Sequence, residues 1–158
     1  MHAKGHAGMA LLITFGLFSI LNLNSNECLM TGLMIVALVT LPDIDLRLEI
    51  AHRKYTHNIL AAAFFGGLFA ILYRPLGYHI GFLAGFSATL IHILGDLLTY
   101  MEFAPLWPFV RKKMSLKLFK SSSPIANNAF WAFGSMSFLL YLLFIYSDVG
   151  YTLLKMIP

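Results

Sequence analysis

Charge is scarce in this sequence. Only 11% of its 158 residues are Asp, Glu, Lys or Arg, against roughly 25% in an ordinary soluble domain. That scarcity excludes a small core wrapped in a solvated shell. Cysteine is scarcer still: Cys28 stands alone, so no internal disulfide can form, and it reads as a small apolar residue in a helix. There is no internal repeat, no phosphate-cradling glycine-rich loop, no coiled-coil heptad and no nucleophilic Ser or Cys motif. Repeat arrays, nucleotide-cradling folds and triad-type enzymes therefore find no support.

Long apolar runs are what the chain has instead. It is 59% hydrophobic with a mean hydropathy of +0.77. The pattern predicts a single integral-membrane domain over residues 1–158, an all-α polytopic helical bundle of about five transmembrane helices. The expected spans are roughly Ala7–Leu23, Cys28–Leu41, Asn58–Tyr73, Tyr78–Thr99 and Asn127–Tyr146. A helix needs about 20 residues to cross the hydrocarbon, so the second and third look short. Their polar ends are then expected inside the slab, covered by protein or water. A signal peptide would need a small-residue cleavage site after the first run. LNLNSNE follows, and it is a poor site, so the first span is expected to remain.

Lys and Arg accumulate in cytoplasmic loops. Five spans would put Lys4, Arg47, Arg53, Lys54, Arg111, Lys112, Lys113, Lys117 and Lys120 on one side, and Arg74 and Lys155 on the other. The expected N-terminus is therefore cytoplasmic and the C-terminus outside. The net charge of +4 reads as an orientation signal with affinity for anionic headgroups. The basic segment Arg111–Lys120 has none of the folds that read bases, so no nucleic-acid partner is expected.

On that topology the ionisable residues converge. His2 and His6 start the first span, Asp43 and Asp45 end the second, and His52 and His57 precede the third. His92 and Asp96 lie in the cytoplasmic half of the fourth. At i and i+4 they share a helix face, which Thr99 continues. Pro42 lets PDID turn, and in a turning backbone Asp43 and Asp45 point to one side. A helical reading of HRKYTH sets His52 over Thr56 and Arg53 over His57. Ionisable groups in membrane spans are costly and usually functional. Imidazole with carboxylate is a ligand set for zinc and other divalent first-row ions. Bound, such ions lower the pKa of water to about 7, and paired carboxylates suit a multi-metal site for phosphoester hydrolysis. Arg53 is placed to clamp a phosphate. The plainer alternatives are a hydrogen-bonded His92–Asp96 pair that ties helices together, an interfacial His6, and a solvated Asp45–Arg47 pair. His79 falls on the opposite side, at the interface.

GH at 5–6, LPDID at 41–45, HRKYTHN at 52–58, HILGDLLT at 92–99 and PLWPF at 105–109 occur in that order. Together they resemble the YdjM-like family of membrane-bound metal-dependent hydrolases, across nearly the whole chain. Lys54 stands where that family usually has glycine, and Asn58 where it usually has serine; Lys54 adds charge beside the site. The resemblance implies His6, Asp43, Asp45, His52, His57, His92 and Asp96 as metal ligands. It implies supporting or substrate-contacting roles for Arg53, Thr56 and Thr99. Some members are described as LexA-binding, an association and not an activity. The hydrolase label of the family rests on likeness to zinc-dependent phospholipase C-like enzymes.

The expected function is a hydrolase at the cytoplasmic face of the inner membrane, cleaving a phosphoester of a lipid or other amphiphile. Its expected catalytic residues are Asp45, Arg53 and Thr56, and its cofactor one to three divalent ions, zinc first. A metal-ion transporter and a non-catalytic metal-stabilised scaffold that binds a soluble partner are the alternatives. A transporter usually places ligands near the midplane between repeats; here they cluster toward one face. MEFAPLWPF reads as an aromatic interfacial anchor placed to roof the site. Ser115–Lys120 reads as a short strand or an interfacial turn. GFLAG at 81–85 predicts close helix packing, either within the fold or across a homodimer, and Gly66 and Gly67 join it.

Overall fold

A computed structural model of the chain describes residues 1–47, 53 and 55–146. Among these the regular structure is helical: α1 (Ala3–Ile20), α2 (Asn26–Leu38), α3 (Ile44–Arg47), α4 (Ile59–Leu72), α5 (Tyr78–Leu97) and α6 (Pro124–Tyr146). One-turn 3-10 segments at Leu41–Asp43 and Arg74–Leu76 link α2 to α3 and α4 to α5.

Among the described residues four stretches are long and apolar enough to cross a membrane: Ala3–Ile20, Asn26–Leu46, Tyr78–Leu97 and Pro124–Ile145. The expected fifth is corrected. α4 has only 14 residues, about 21 Å at 1.5 Å per residue, short of a hydrocarbon core of about 30 Å. Its start is set by Asn58, whose side-chain oxygen accepts from the Ala61 N–H at 2.9 Å. That cap holds Asn58 extended, so Tyr55–Asn58 bends instead of continuing the helix upstream. The helical stacking of Arg53 over His57 is therefore absent, and Arg53 itself takes a left-handed φ of 61°. Asn58, where the resemblance implies a serine, supplies an N-capping side chain of the same kind. The second span is longer than expected, because Pro42 enters a 3-10 turn that hands the chain on to α3 without a break in the apolar run.

α5 is the central helix. It packs against α1, α2 and α4, while α6 lies outside against α1. Burial follows that order: 61% of the α5 span is buried, and only 11% of the α6 span. Glycine permits the close approach of α4 and α5. A Cβ on Gly81 would come within 2.2 Å of Phe69 O, and one on Gly85 within 2.6 Å of Phe65 O. The residue numbers run in opposite directions, so α4 and α5 are antiparallel. GFLAG is thus a contact within the fold. Gly8 and Gly134 play the same part for α1 and α6, where a Cβ on Gly134 would lie 2.1 Å from Gly8 O. Gly5 faces Asn127 and Gly8 faces Phe130, so these two helices are parallel. Gly67, grouped with the packing glycines from its sequence, faces open space.

The starts of α1, α4 and α6 and the ends of α3 and α5 therefore gather at one end of the bundle. Segment 99–119 closes that end. Leu116 N–H donates to Leu97 O at 2.7 Å and Leu118 N–H to Leu98 O at 2.9 Å, satisfying carbonyls that the end of α5 would leave open. Isolated bridges pair Thr99 with Phe119 and Phe103 with Met114. No strand forms in Ser115–Lys120. Beside the bridges, the Lys117 ammonium lies 2.7 Å from Glu102 and holds that carboxyl below its ordinary range.

Gly134→Ala is expected to destabilise the bundle by about 1–3 kcal/mol, the usual cost of overpacking. Gly67→Ala should be neutral or gain up to about 1 kcal/mol of helix propensity. Thermal unfolding in detergent separates the two.

Candidate metal centre

At the closed end, His57 Nε2 and His92 Nε2 lie 3.0 Å apart. Their far nitrogens determine what those atoms present. His92 Nδ1 sits 2.8 Å from Val39 O. A carbonyl only accepts, so Nδ1 carries the proton and the neutral ring turns its Nε2 lone pair inward. Thr56 donates its hydroxyl to Asp45 Oδ2 at 2.6 Å, leaving Thr56 Oγ1 to accept from His57 Nδ1 at 2.8 Å. Asp45 Oδ2 itself is 3.4 Å from that nitrogen. His57 Nε2 therefore also presents a lone pair. Two lone pairs face each other in a fully buried place, and only a cation or a proton between them relieves that repulsion.

Two carboxylates complete the surroundings. Asp96 Oδ2 lies 3.4 Å from His57 Nε2 and 3.6 Å from His92 Nε2. Asp43 Oδ1 lies 3.5 Å from each. Ligands at about 2.0–2.1 Å from a tetrahedral ion stand about 3.3 Å apart. The spacings around the His57–His92 edge thus match faces of such a tetrahedron, with either carboxylate as the third corner. His57, His92 and Asp96 form one group whose donor atoms all lie within 4.8 Å of one another, and His6, Asp43 and His92 form a second. The groups share His92, whose one free nitrogen serves a single ion at a time.

His6 is buried and stacks on His92 with ring centroids 3.8 Å apart. Neither of its ring nitrogens makes a hydrogen bond, although Nε2 reaches within 3.3 Å of Asp96 Oδ1. Buried polar atoms without partners are uncommon, and a ligand role would satisfy one of them. These donors fit a divalent first-row ion, zinc among them. Asp96 Oδ1 faces protein cations: the Met1 amino group at 2.5 Å and Arg53 Nη2 at 2.9 Å.

The sequence-predicted residues divide accordingly. His6, Asp43, His57, His92 and Asp96 come together around the facing nitrogens. Asp45 stands behind His57, on its far edge, where Thr56 and the Arg53 backbone N–H (3.1 Å) hold it. Asp43 and Asp45 both approach His57, but at opposite edges of the ring, Asp43 Oδ1 3.5 Å from Nε2 and Asp45 Oδ2 3.4 Å from Nδ1, with Ile44 exposed. Arg53 Nη1 reaches Thr99 Oγ1 at 3.3 Å and Met101 O at 2.9 Å. Its guanidinium lies 5.7 Å from the Phe103 ring, which roofs the site as expected of that segment. His52 lies outside the described residues, as do Glu49 and Lys54. His79 is near Gly77 at the start of α5, the opposite end from the cluster. Sequence reasoning missed the Val39 carbonyl and the Met1 amino group. Neither has a side-chain signature, since each acts through the main chain.

Among the described ligand candidates Asp43 reaches solvent, 25% exposed where the rest are at most 1%. It lines a cavity of about 290 Å³ with Ala3, Thr40 and Leu41.

A helical bundle with a buried His/Asp centre at one end defines an integral membrane protein equipped to hold a metal ion. The chain belongs to the YdjM inner membrane protein family, whose model matches residues 1–154. Comparisons with curated proteins and with solved structures give no match.

Purified protein is expected to carry divalent metal by elemental analysis, and His92→Ala or Asp96→Ala to lose it. Asp45→Asn, altered behind His57, should retain the metal with affinity weakened about 10–100-fold. A competition titration against a chromophoric chelator reads the difference.

Proposed function

We propose that this protein is a metal-dependent hydrolase that cleaves a phosphoester of a membrane lipid or similar amphiphile. The observation that carries the reading is the facing pair of imidazole lone pairs, flanked by two carboxylates and with Arg53 beside them. A bound divalent ion would supply water activation and polarisation of a phosphoryl oxygen. His57, His92 and Asp96 would hold it, with His6 and Asp43 at hand.

The chain's own groups supply the rest. Asp45 and Thr56 act through His57, keeping its proton on Nδ1 and its lone pair inward. Asp43, about a quarter exposed to solvent, receives the proton of the attacking water. The water oxygen joins phosphorus, the phosphorus–oxygen ester bond breaks, and the departing alkoxide takes up the proton that Asp43 received. Arg53 offers a spare donor: its Nε is buried and makes no hydrogen bond. A phosphoryl oxygen would satisfy it and gain a charge-assisted bond where negative charge grows. The Lys and Arg bias of the loops supports a cytoplasmic position for this end.

Arg53→Lys is expected to keep the metal and to lower phosphodiester hydrolysis about 100-fold, because a lysine cannot reproduce the fork. The test is release of phosphate or headgroup from phospholipid vesicles and from bis(p-nitrophenyl) phosphate, with and without chelator. Metal-loaded protein with no hydrolysis of any ester would overturn the proposal in favour of a scaffold. Metal uptake into proteoliposomes would overturn it in favour of a transporter.

A further inference from the structure

A second and larger cavity, of about 590 Å³, lies beside the start of α4. It is bounded by Tyr55, Thr56, Leu60, Ala61, Phe64 and Trp107. Its polar members are already engaged. Thr56 donates to Asp45, Asn58 donates to Tyr55 O and accepts from Ala61 N–H, and apart from the tips of Tyr55 and Trp107 the walls are apolar. Such a surface rewards hydrocarbon and offers nothing to a sugar or a peptide backbone.

Its place in the fold says where hydrocarbon would come from. α4 is too short to fill the slab, and the groove lies at its early end, where Leu60 and Phe64 stay exposed. Tyr55 and Trp107 meet edge to face across 6.2 Å there, the kind of aromatic pair that sits at the level of headgroups. The inner end of the groove is Thr56, hydrogen-bonded to His57 of the centre. The groove therefore borders the centre through Thr56, at the Nδ1 edge of His57.

We propose that this groove holds one hydrocarbon chain of the substrate amphiphile, with the phosphoester directed toward His57 and Arg53. The inference rests on the hydrolase reading for the phosphoester, but chain binding is measured without turnover. The occupant is an acyl or prenyl chain entering sideways from the bilayer. A soluble phosphate ester would have no use for this wall.

The probe is phosphatidylglycerol with a diazirine at the end of one acyl chain, in phosphatidylethanolamine–phosphatidylglycerol vesicles that hold the full chain. After irradiation, peptide mapping should place label on Leu60, Ala61, Phe64 or Trp107 severalfold above Phe133 and Leu140, which are exposed on α6. Ala61→Phe should fill the groove and remove the excess label. For the long-chain lipid it should raise KM about tenfold, with metal content and hydrolysis of bis(p-nitrophenyl) phosphate unchanged. Equal labelling of α4 and α6 overturns the proposal, as does an Ala61→Phe protein that handles long-chain lipid as before. If no ester is hydrolysed, the hydrolase reading fails while the labelling pattern still decides the groove. If Ala61→Phe does not fold, the pattern on the unsubstituted chain decides alone.

Discussion

Two imidazole nitrogens with facing lone pairs, 3.0 Å apart, impose the constraint that the surrounding structure meets. Each ring is held from behind by a partner that dictates its tautomer, Val39 O for His92 and the Thr56–Asp45 pair for His57. Those holds require the end of α2, the turn before α4 and the last turns of α5 to meet. α5 is accordingly the most enclosed of the long helices. The glycine contacts of α4 and α5 let backbones approach without side chains between them. The positive charges of Met1 and Arg53 sit on the other oxygen of Asp96. They offset the carboxylate without blocking the space between the rings.

Buried polar groups in such number are a hazard in an apolar bundle. Each would cost several kcal/mol if left unpaired. Here the pairing is graded. Thr56, Asp45, Thr99 and Asn58 are tied into local hydrogen bonds, while one guanidinium nitrogen and both nitrogens of His6 are not. Among the described residues three of the four unsatisfied side-chain atoms lie at the centre, the fourth being Thr14 Oγ1 on α1; that concentration is the pattern of a site arranged for something it binds. A purely structural network would have paired them with one another.

Much of this was legible in the sequence, for identifiable reasons. The apolar runs and the Lys and Arg bias placed the polar segments at one end before any contact was known. The i, i+4 spacing brought His92 and Asp96 onto one face, and Pro42 marked the turn at PDID. Less legible was everything decided by the main chain or by pairing between distant helices. Asn58 reads equally well as a loop residue or a cap, and only the cap explains why α4 starts at Ile59. GFLAG announced a close approach but not its partner. The parallel pairing of α1 with α6 depends on Gly8 and Gly134, far apart in sequence and unremarkable separately. Asp45 belongs to a motif that reads as two ligands, yet its neighbours Thr56 and Arg53 turn it to the back of His57.

The donors around the centre come from the start of α1, the turn after α2, the bend before α4 and the end of α5. No single helix contains enough of them to hold an ion. During synthesis the chain emerges in order, so His6, Asp43 and His57 are made first and wait without His92 and Asp96. The coordination sphere closes only when α5 has entered the membrane and docked. Metal capture is thereby tied to the last stages of assembly, and an ion bound tightly at this centre would mark a chain whose insertion is nearly complete.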